Sequence, residues 1–128
     1  MEVNSIPQYI QGITNAKVDL TTTDVTVLYT APSETDFNSS IINSILVSND
    51  SGSADTITVT ITDSTPTVFS LFKVKAVAAN TTIELLTKDL ILQSGEIIKV
   101  TAATVDRLTV VASIQELTKT RISTSAIL

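Results

Sequence analysis

"NSILVSNDSGSADTITVTI", residues Asn43 to Ile61, holds two apolar stretches around a polar centre. Ile45 and Val47 enter that centre, and Ile57, Val59 and Ile61 leave it, all at period two. Between them, Asn49 to Asp55 gathers acids, an amide, serines and Gly52. A calcium loop of the EF-hand kind needs oxygen ligands at fixed alternating positions, an invariant glycine and a bidentate glutamate closing a loop of about 12 residues. This stretch lacks that pattern and has no helical periodicity on either side. It reads as the bend of a β-hairpin, with Gly52 supplying free φ and the Asp and Ser side chains capping local amides. An irregular calcium site on a strand-connecting loop is the alternative that these residue types leave.

Working outward, the same period recurs. In "DTITVTIT" the isoleucines and Val59 face one way, and Thr56, Thr58, Thr60 and Thr62 the other. Such alternation marks a strand with one buried and one wet face. Ala16, Val18 and Leu20 form an inward set, as do Val25, Val27 and Tyr29, and then Phe72, Val74 and Ala76 opposite Lys73 and Lys75. Further sets are Ile83 with Leu85, then Ile98, Val100 and Ala102, then Leu108, Val110, Ala112 and Ile114. Ile45, Leu46 and Val47 are apolar on both faces, which predicts a central strand. About eight strands are expected, separated by Asn, Asp, Ser, Gly or Pro clusters. The expected fold is therefore all-β: one antiparallel β-sandwich, jelly-roll or immunoglobulin-like, over residues 16–117.

Composition supports this. The 128 residues include 22 Thr, 15 Ile and 13 Val, side chains that are stiff at χ1 and suit a pleated surface. A chain of this size buries roughly two-thirds of its unfolded surface, so a core forms without staples. There is no Cys, His or Trp. Disulfides, thiolate or imidazole metal sites, and Ser-His-Asp or Cys-His catalysis are excluded. Carboxylate pairs remain, but Glu34 and Asp36 lie in a Pro-Ser loop, and Glu84, Glu96 and Glu116 fall near strand ends. Tyr29 and Phe72 are expected in the core. No catalytic, metal-binding or cofactor-binding residue is expected.

The net charge of −5 disfavours nucleic acid, which demands clustered cations. No apolar run approaches the roughly 20 residues of a membrane span. The N-terminus "MEVNSIPQYI" has neither a basic n-region nor an apolar h-region, so a cytoplasmic product without a secretory signal is expected.

The ends differ from the middle. Residues 1–15 carry Val3, Ile6, Tyr9, Ile10 and Ile13 without an evident strand partner, and Pro7 and Gly12 weaken the helical spacing of the isoleucines. Residues 118–128 end on Ile127 and Leu128. Both read as arms. The expected partner-binding residues are Ile6, Tyr9, Ile10, Ile13, Ile127 and Leu128.

Three stretches in order are "VTVLYTAPSETDFNSSIINSILVSND", "DTITVTITD" and "NTTIELLTKDLILQSGEIIKVTAATVDRLTVVASIQEL". Together they contain a strand closing on Leu28-Tyr29-Thr30-Ala31-Pro32, a long strand ending on Asn49, and a Thr/Val strand with two unlike faces. Then come Leu92-Gln93-Ser94-Gly95-Glu96-Ile97-Ile98-Lys99-Val100 and a final strand ending near Ser113-Ile114-Gln115-Glu116. The arrangement resembles the small all-β virion proteins of tailed bacteriophages, over roughly residues 16–117. It departs from them at Ser33, where such proteins often have glycine after the proline. The resemblance implies a non-enzymatic structural protein of a phage particle, made in the host cytoplasm and resident in the virion. Capsid decoration or cement is the leading role it implies. A tail, neck or fibre accessory, with host-surface or glycan binding, is the alternative. The implied partners are other copies of the chain, as a trimer or ring, and major capsid or tail proteins.

Overall fold

A computed structural model of the chain describes residues 9–118. Nine strands are present among them: β1 (Tyr9–Asp19), β2 (Thr26–Thr30), β3 (Phe37–Asn49), β4 (Asp55–Thr62), β5 (Val68–Val77), β6 (Thr81–Glu84), β7 (Leu90–Leu92), β8 (Ile97–Ala102) and β9 (Leu108–Thr118). They form two antiparallel sheets. One runs β1-β9-β3-β6, with the short β7 also pairing β3; the other runs β2-β8-β4-β5. The sheets pack face to face as a β-sandwich, the architecture expected from the alternation.

The core is where the two inner faces meet. Ile45, Val47, Val110 and Ala112 of one sheet and Ile57, Val59, Ile98 and Val100 of the other have no more than a trace of exposure. These side chains sit at alternate positions, because successive residues of a strand point to opposite faces. β3 is central, as its two-sided apolar run predicts, with β9 on one flank and β6 and β7 on the other.

The turn between β7 and β8 shows why its glycine is needed. Gly95 adopts φ +76, a left-handed conformation that costs other residues a steric penalty. Its N–H reaches the carbonyls of Ala31 and Pro32, each at 3.2 Å, and the Ala31 N–H returns to Glu96 O at 2.8 Å. The Gln93–Glu96 turn is thereby tied to the loop that follows β2.

Several expectations need correction. The Asn49–Asp55 stretch is no hairpin: β3 and β4 lie in different sheets, so it is an arch that crosses the sandwich. Gly52 is not left-handed there, so its freedom is not what the arch uses. Among the described residues, the one hairpin joining strands paired along their length is β4–β5. Residues 9–15, expected in an arm, are the first part of β1, paired with β9 from Tyr9↔Thr118 onward. A register shift between Ile10 and Gly12 breaks the alternation there, which is why the strand reads poorly in sequence. At the other end, β9 runs through Thr118, which is buried. The ninth strand is β7, whose three residues are too few to display a period.

Bulges account for the remaining differences. In β2 the register shifts between Val27 and Tyr29, so Leu28 enters the core while Val25 and Val27 are exposed. Tyr29 is half-buried against the core. In β5, two register shifts fall between Ile57 and Thr60 of its partner, and Val74 takes φ +52. Val74 and Ala76 are therefore exposed, while Leu71 and Phe72 are half-buried and Val77 is fully buried. In β4, Thr62 is buried although it belongs to the threonine series expected outside.

Candidate partner interface

The most distinctive surface lies on one open side of the sandwich, and it begins with a bulge in β3. The register of β3 against β9 shifts between Ile42 and Ser44, so Ile42 and Ile45, three apart, both point inward. The shift leaves the Ile45 N–H outside the regular ladder. The Glu84 carboxylate at the end of β6 takes it, with Ile45 N donating to Glu84 Oε2 at 2.8 Å. Leu86 N donates to the same oxygen at 3.2 Å, and the Ser44 hydroxyl donates to Oε1. Burial pushes the Glu84 carboxyl up, but these three donors outweigh it and hold it below the ordinary glutamate value. Nearby, Leu85 N donates to Ile45 O at 2.9 Å and Asn43 Nδ2 to Asp89 Oδ1 at 3.2 Å. The β6–β7 connection is thus tied to β3 at both ends.

That connection forms one wall of an apolar groove of about 300 Å³; Leu71 and Phe72 of β5 form the other. Leu85, Leu86 and Leu90 supply the first wall, with Lys88 and Asp89 at its rim. β5 is the outer strand of its sheet, so one side of its backbone has no strand beside it. It also exposes Val68 (60%) and Phe69 (52%) next to the groove. Unpaired strand edges and contiguous exposed apolar residues are the usual ingredients of protein–protein contact. The far half of β5 is blunted. Val74 is a β-branched residue in the left-handed region, where such residues are strained. Its N–H is held by Thr58 Oγ1 at 3.0 Å, and Lys73 and Lys75 flank it.

The polar clusters elsewhere are structural. Asn49 is buried at the arch; its Nδ2 donates to Ser53 O at 2.9 Å and Val77 O at 3.3 Å. Its Oδ1 accepts from Ser51 N at 3.0 Å and Ser51 Oγ at 2.8 Å. Asp55 accepts from Thr56 N at 2.8 Å through one oxygen and from Thr104 N at 3.2 Å through the other. The side-chain oxygens of Asn49 and Asp55 thus hold the arch and the β8–β9 turn. At the opposite end, Tyr29 donates to Glu116 Oε2 at 2.6 Å, and the buried Ser40 hydroxyl lies 2.7 Å from the phenol oxygen. Since the phenol proton goes to Glu116, Ser40 is the donor to Tyr29. Burial, the Glu116 hydrogen bond and the Glu116 charge push the phenol pKa far up, and the Ser40 bond opposes them. This chain of three groups ties β2 to β3 and β9 across the sheets.

Of the expected contact residues, Ile6, Ile127 and Leu128 lie outside the described residues. Tyr9 and Ile10 open β1, with their backbones paired to Thr118 and Leu117. Ile13 stands 75% exposed on β1, an outer strand, and so remains a contact candidate within the sheet rather than in an arm. The groove was not anticipated. Its one sequence signal is the leucine density of "IELLTKDLIL", more than a single inward face of two short strands can use. No family model, curated protein or solved structure matches this chain.

Proposed function

We propose that this chain is a non-enzymatic structural protein of a bacteriophage particle, a capsid decoration protein that bridges neighbouring coat subunits. Two things support the reading. The sequence resemblance over residues 16–117 supplies the virion. The geometry supplies the mode of action: an open β5 edge beside the Leu71–Phe72–Leu86–Leu90 groove is a surface suited to another polypeptide. That groove is the observation that carries the proposal. Chemistry is not part of it: Glu84 caps the bulge of β3, Asp55 accepts from backbone N–H groups at the start of β4 and in the β8–β9 turn, and Glu116 accepts from Tyr29 across the sheets. Bridging coat subunits raises the free energy needed to separate them, through buried apolar area and strand pairing. The terminal segments, with Ile6, Ile127 and Leu128, are proposed to add contacts.

The test is fractionation of native particles. The protein should co-purify with capsids at a copy number proportional to the coat protein. A small fixed number, as in a five-, six- or twelve-fold ring, would move it to the tail or neck, and absence from particles would refute the virion assignment. Because β1 begins at Tyr9, the informative truncation removes residues 1–8 and leaves the β1–β9 pairing intact.

A further inference from the structure

We propose that two copies of this chain join edge to edge through β5, antiparallel about a two-fold axis at Ser70. The inference rests on the reading of the chain as an assembly subunit and names the partner of the β5 surface. The pair, rather than the single chain, is then the unit that bridges coat subunits.

β5 is the outer strand of its sheet, and among the described residues no strand lies on its far side. Because β5 is bulged, position along its partner β4 decides what a neighbouring strand would meet. Ser70 pairs with Thr60, Phe69 with Ile61 and Phe72 with Val59. Phe69 and Phe72 thus stand one position to either side of Ser70. Paired residues share a face, so both rings lie on the same side of the sheet as Ile61 and Val59. Phe72 lines the groove, while Phe69 is left 52% exposed.

The charges lie at the two ends of this stretch. Lys75 pairs with Ile57, three residues before Thr60 on β4, and Asp63 comes three residues after Thr60. Each is therefore about 10 Å from the level of Ser70 along the sheet. The Asp63 carboxylate leans over the β4–β5 turn, where it accepts from Thr65 N at 3.0 Å and Thr67 N at 2.7 Å. Lys88 and Asp89 at the groove rim offset each other. The edge thus carries a cation and an anion at equal distances from Ser70, with the two rings between them.

An antiparallel copy about Ser70 reverses that order. The partner's Lys75 comes level with Asp63, and the partner's Phe69 faces Phe72 at the groove. Each match occurs twice by symmetry, and both opposite charges and aromatic pairs across strands are favourable. Lys75 and the partner's Asp63 lie two strand spacings apart, about 10 Å between backbones, which their two side chains can close. Other arrangements lose these matches. With the axis at Phe69, Phe72 meets the partner's turn, and a parallel neighbour sets Lys75 beside its own copy. The bulge at Val74 ends regular pairing beyond Phe72, so the contact is short and the association weak.

The experiment is sedimentation equilibrium on the purified full chain, without particles. The wild type should dimerise reversibly at high micromolar concentration and form nothing larger, because the two-fold contact uses up both edges. Phe69→Ala should weaken the dimer about tenfold and Lys75→Glu about fivefold. Both side chains are exposed, so an unchanged thermal melt verifies that the variants fold. The axis itself is tested by crosslinking. Ser70 faces its own copy, so Ser70→Cys, in a chain with no other cysteine, should give disulfide-linked dimers on oxidation. Ile13→Cys, exposed on the outer strand β1, should not. A wild type monomeric up to about 1 mM, a trimer or ring, a dimer indifferent to Phe69→Ala, or crosslinking no faster at position 70 than at 13 would each overturn the inference. Particle binding by a chain that stays monomeric sinks this inference alone. A dimer absent from particles sinks only the virion reading.

Discussion

Asn49 is the side chain on which the arch between the sheets depends, and replacing it by aspartate probes that directly. Asn49→Asp keeps the shape but exchanges two N–H donors for an oxygen. That oxygen would face the carbonyls of Ser53 and Val77, now 2.9 and 3.3 Å away, in a site with 1% exposure. An uncompensated buried charge costs about 3–5 kcal/mol. The two Ser51 donors remain on the other oxygen and soften this, so about 3 kcal/mol at neutral pH is expected. For a domain of this size that lowers Tm by roughly 10 °C. The new carboxyl should have a folded pKa above its unfolded value of about 3.9. The penalty is then full above the folded pKa and disappears below the unfolded one, so the gap to wild type should narrow as the solution is acidified. Asn49→Ala, which lacks the charge, should cost about 2 kcal/mol at every pH, and Asp50→Asn, at an exposed neighbour, under about 0.5 kcal/mol. Urea denaturation followed by far-ultraviolet circular dichroism at neutral and acid pH measures all three. If Asn49→Asp and Asn49→Ala unfold within about 0.5 kcal/mol of wild type, the arch is not held by this amide. A drop in wild-type Tm on adding EDTA would show instead that a cation holds it.

Other expectations follow from single groups. Thr62 Oγ1 is buried with no hydrogen-bond partner among the described residues, so Thr62→Val should raise stability by about 1 kcal/mol, read as a higher urea midpoint at unchanged slope. Glu84→Gln should cost about 1 kcal/mol near neutral pH, a figure discounted because the carboxylate is largely exposed. The Glu84 carboxyl is held below its unfolded value, so its stabilisation is present above that value and is lost as pH falls through the folded one. The variant should therefore lose less stability than wild type on acidification, as chemical denaturation at several pH values would reveal. Tyr29→Phe should destabilise by about 1–2 kcal/mol, because the Ser40 hydroxyl, fully buried, loses its acceptor. In a Tyr9→Phe background, spectrophotometric titration should find the Tyr29 phenol ionising well above the ordinary tyrosine value. Neutral Tyr29 is the favoured folded form, so the stability it adds should fade as pH rises past the unfolded phenol pKa.

Much of the sandwich was legible in the chain because two-face alternation is a local property. The inward sets of β8 and β9, Ile98 to Ala102 and Leu108 to Ile114, are buried as read, and so are Ile57 and Val59. Two-sided apolarity likewise marked β3 as central. Where a bulge intervenes the reading slips by one residue, as at Val27–Tyr29, or the strand escapes notice, as at Ile10–Gly12. A bulge is an offset between one strand and its partner, and nothing in the bulged strand alone declares it. The groove was hidden for a related reason. Leu71 of β5 meets Leu86 and Leu90 of the β6–β7 connection across two different sheets, and Glu84 ties the start of that connection to the offset in β3.

The stretch from Asn43 to Ile61 divides the two kinds of information. Residue pattern alone determined that it is strand, bend and strand, and that Ile45, Val47, Ile57 and Val59 enter the core; Ile61, read with them, is half-buried, and Thr62 is buried beside it. Only the tertiary structure decided that the bend is an arch. A polar bend after an apolar strand is equally compatible with returning along the same sheet or crossing to the other. The choice rests on which strands pair with each, β9, β6 and β7 for β3 and β8 and β5 for β4, and all of these but β5, which follows β4 through a hairpin, lie far away in the sequence.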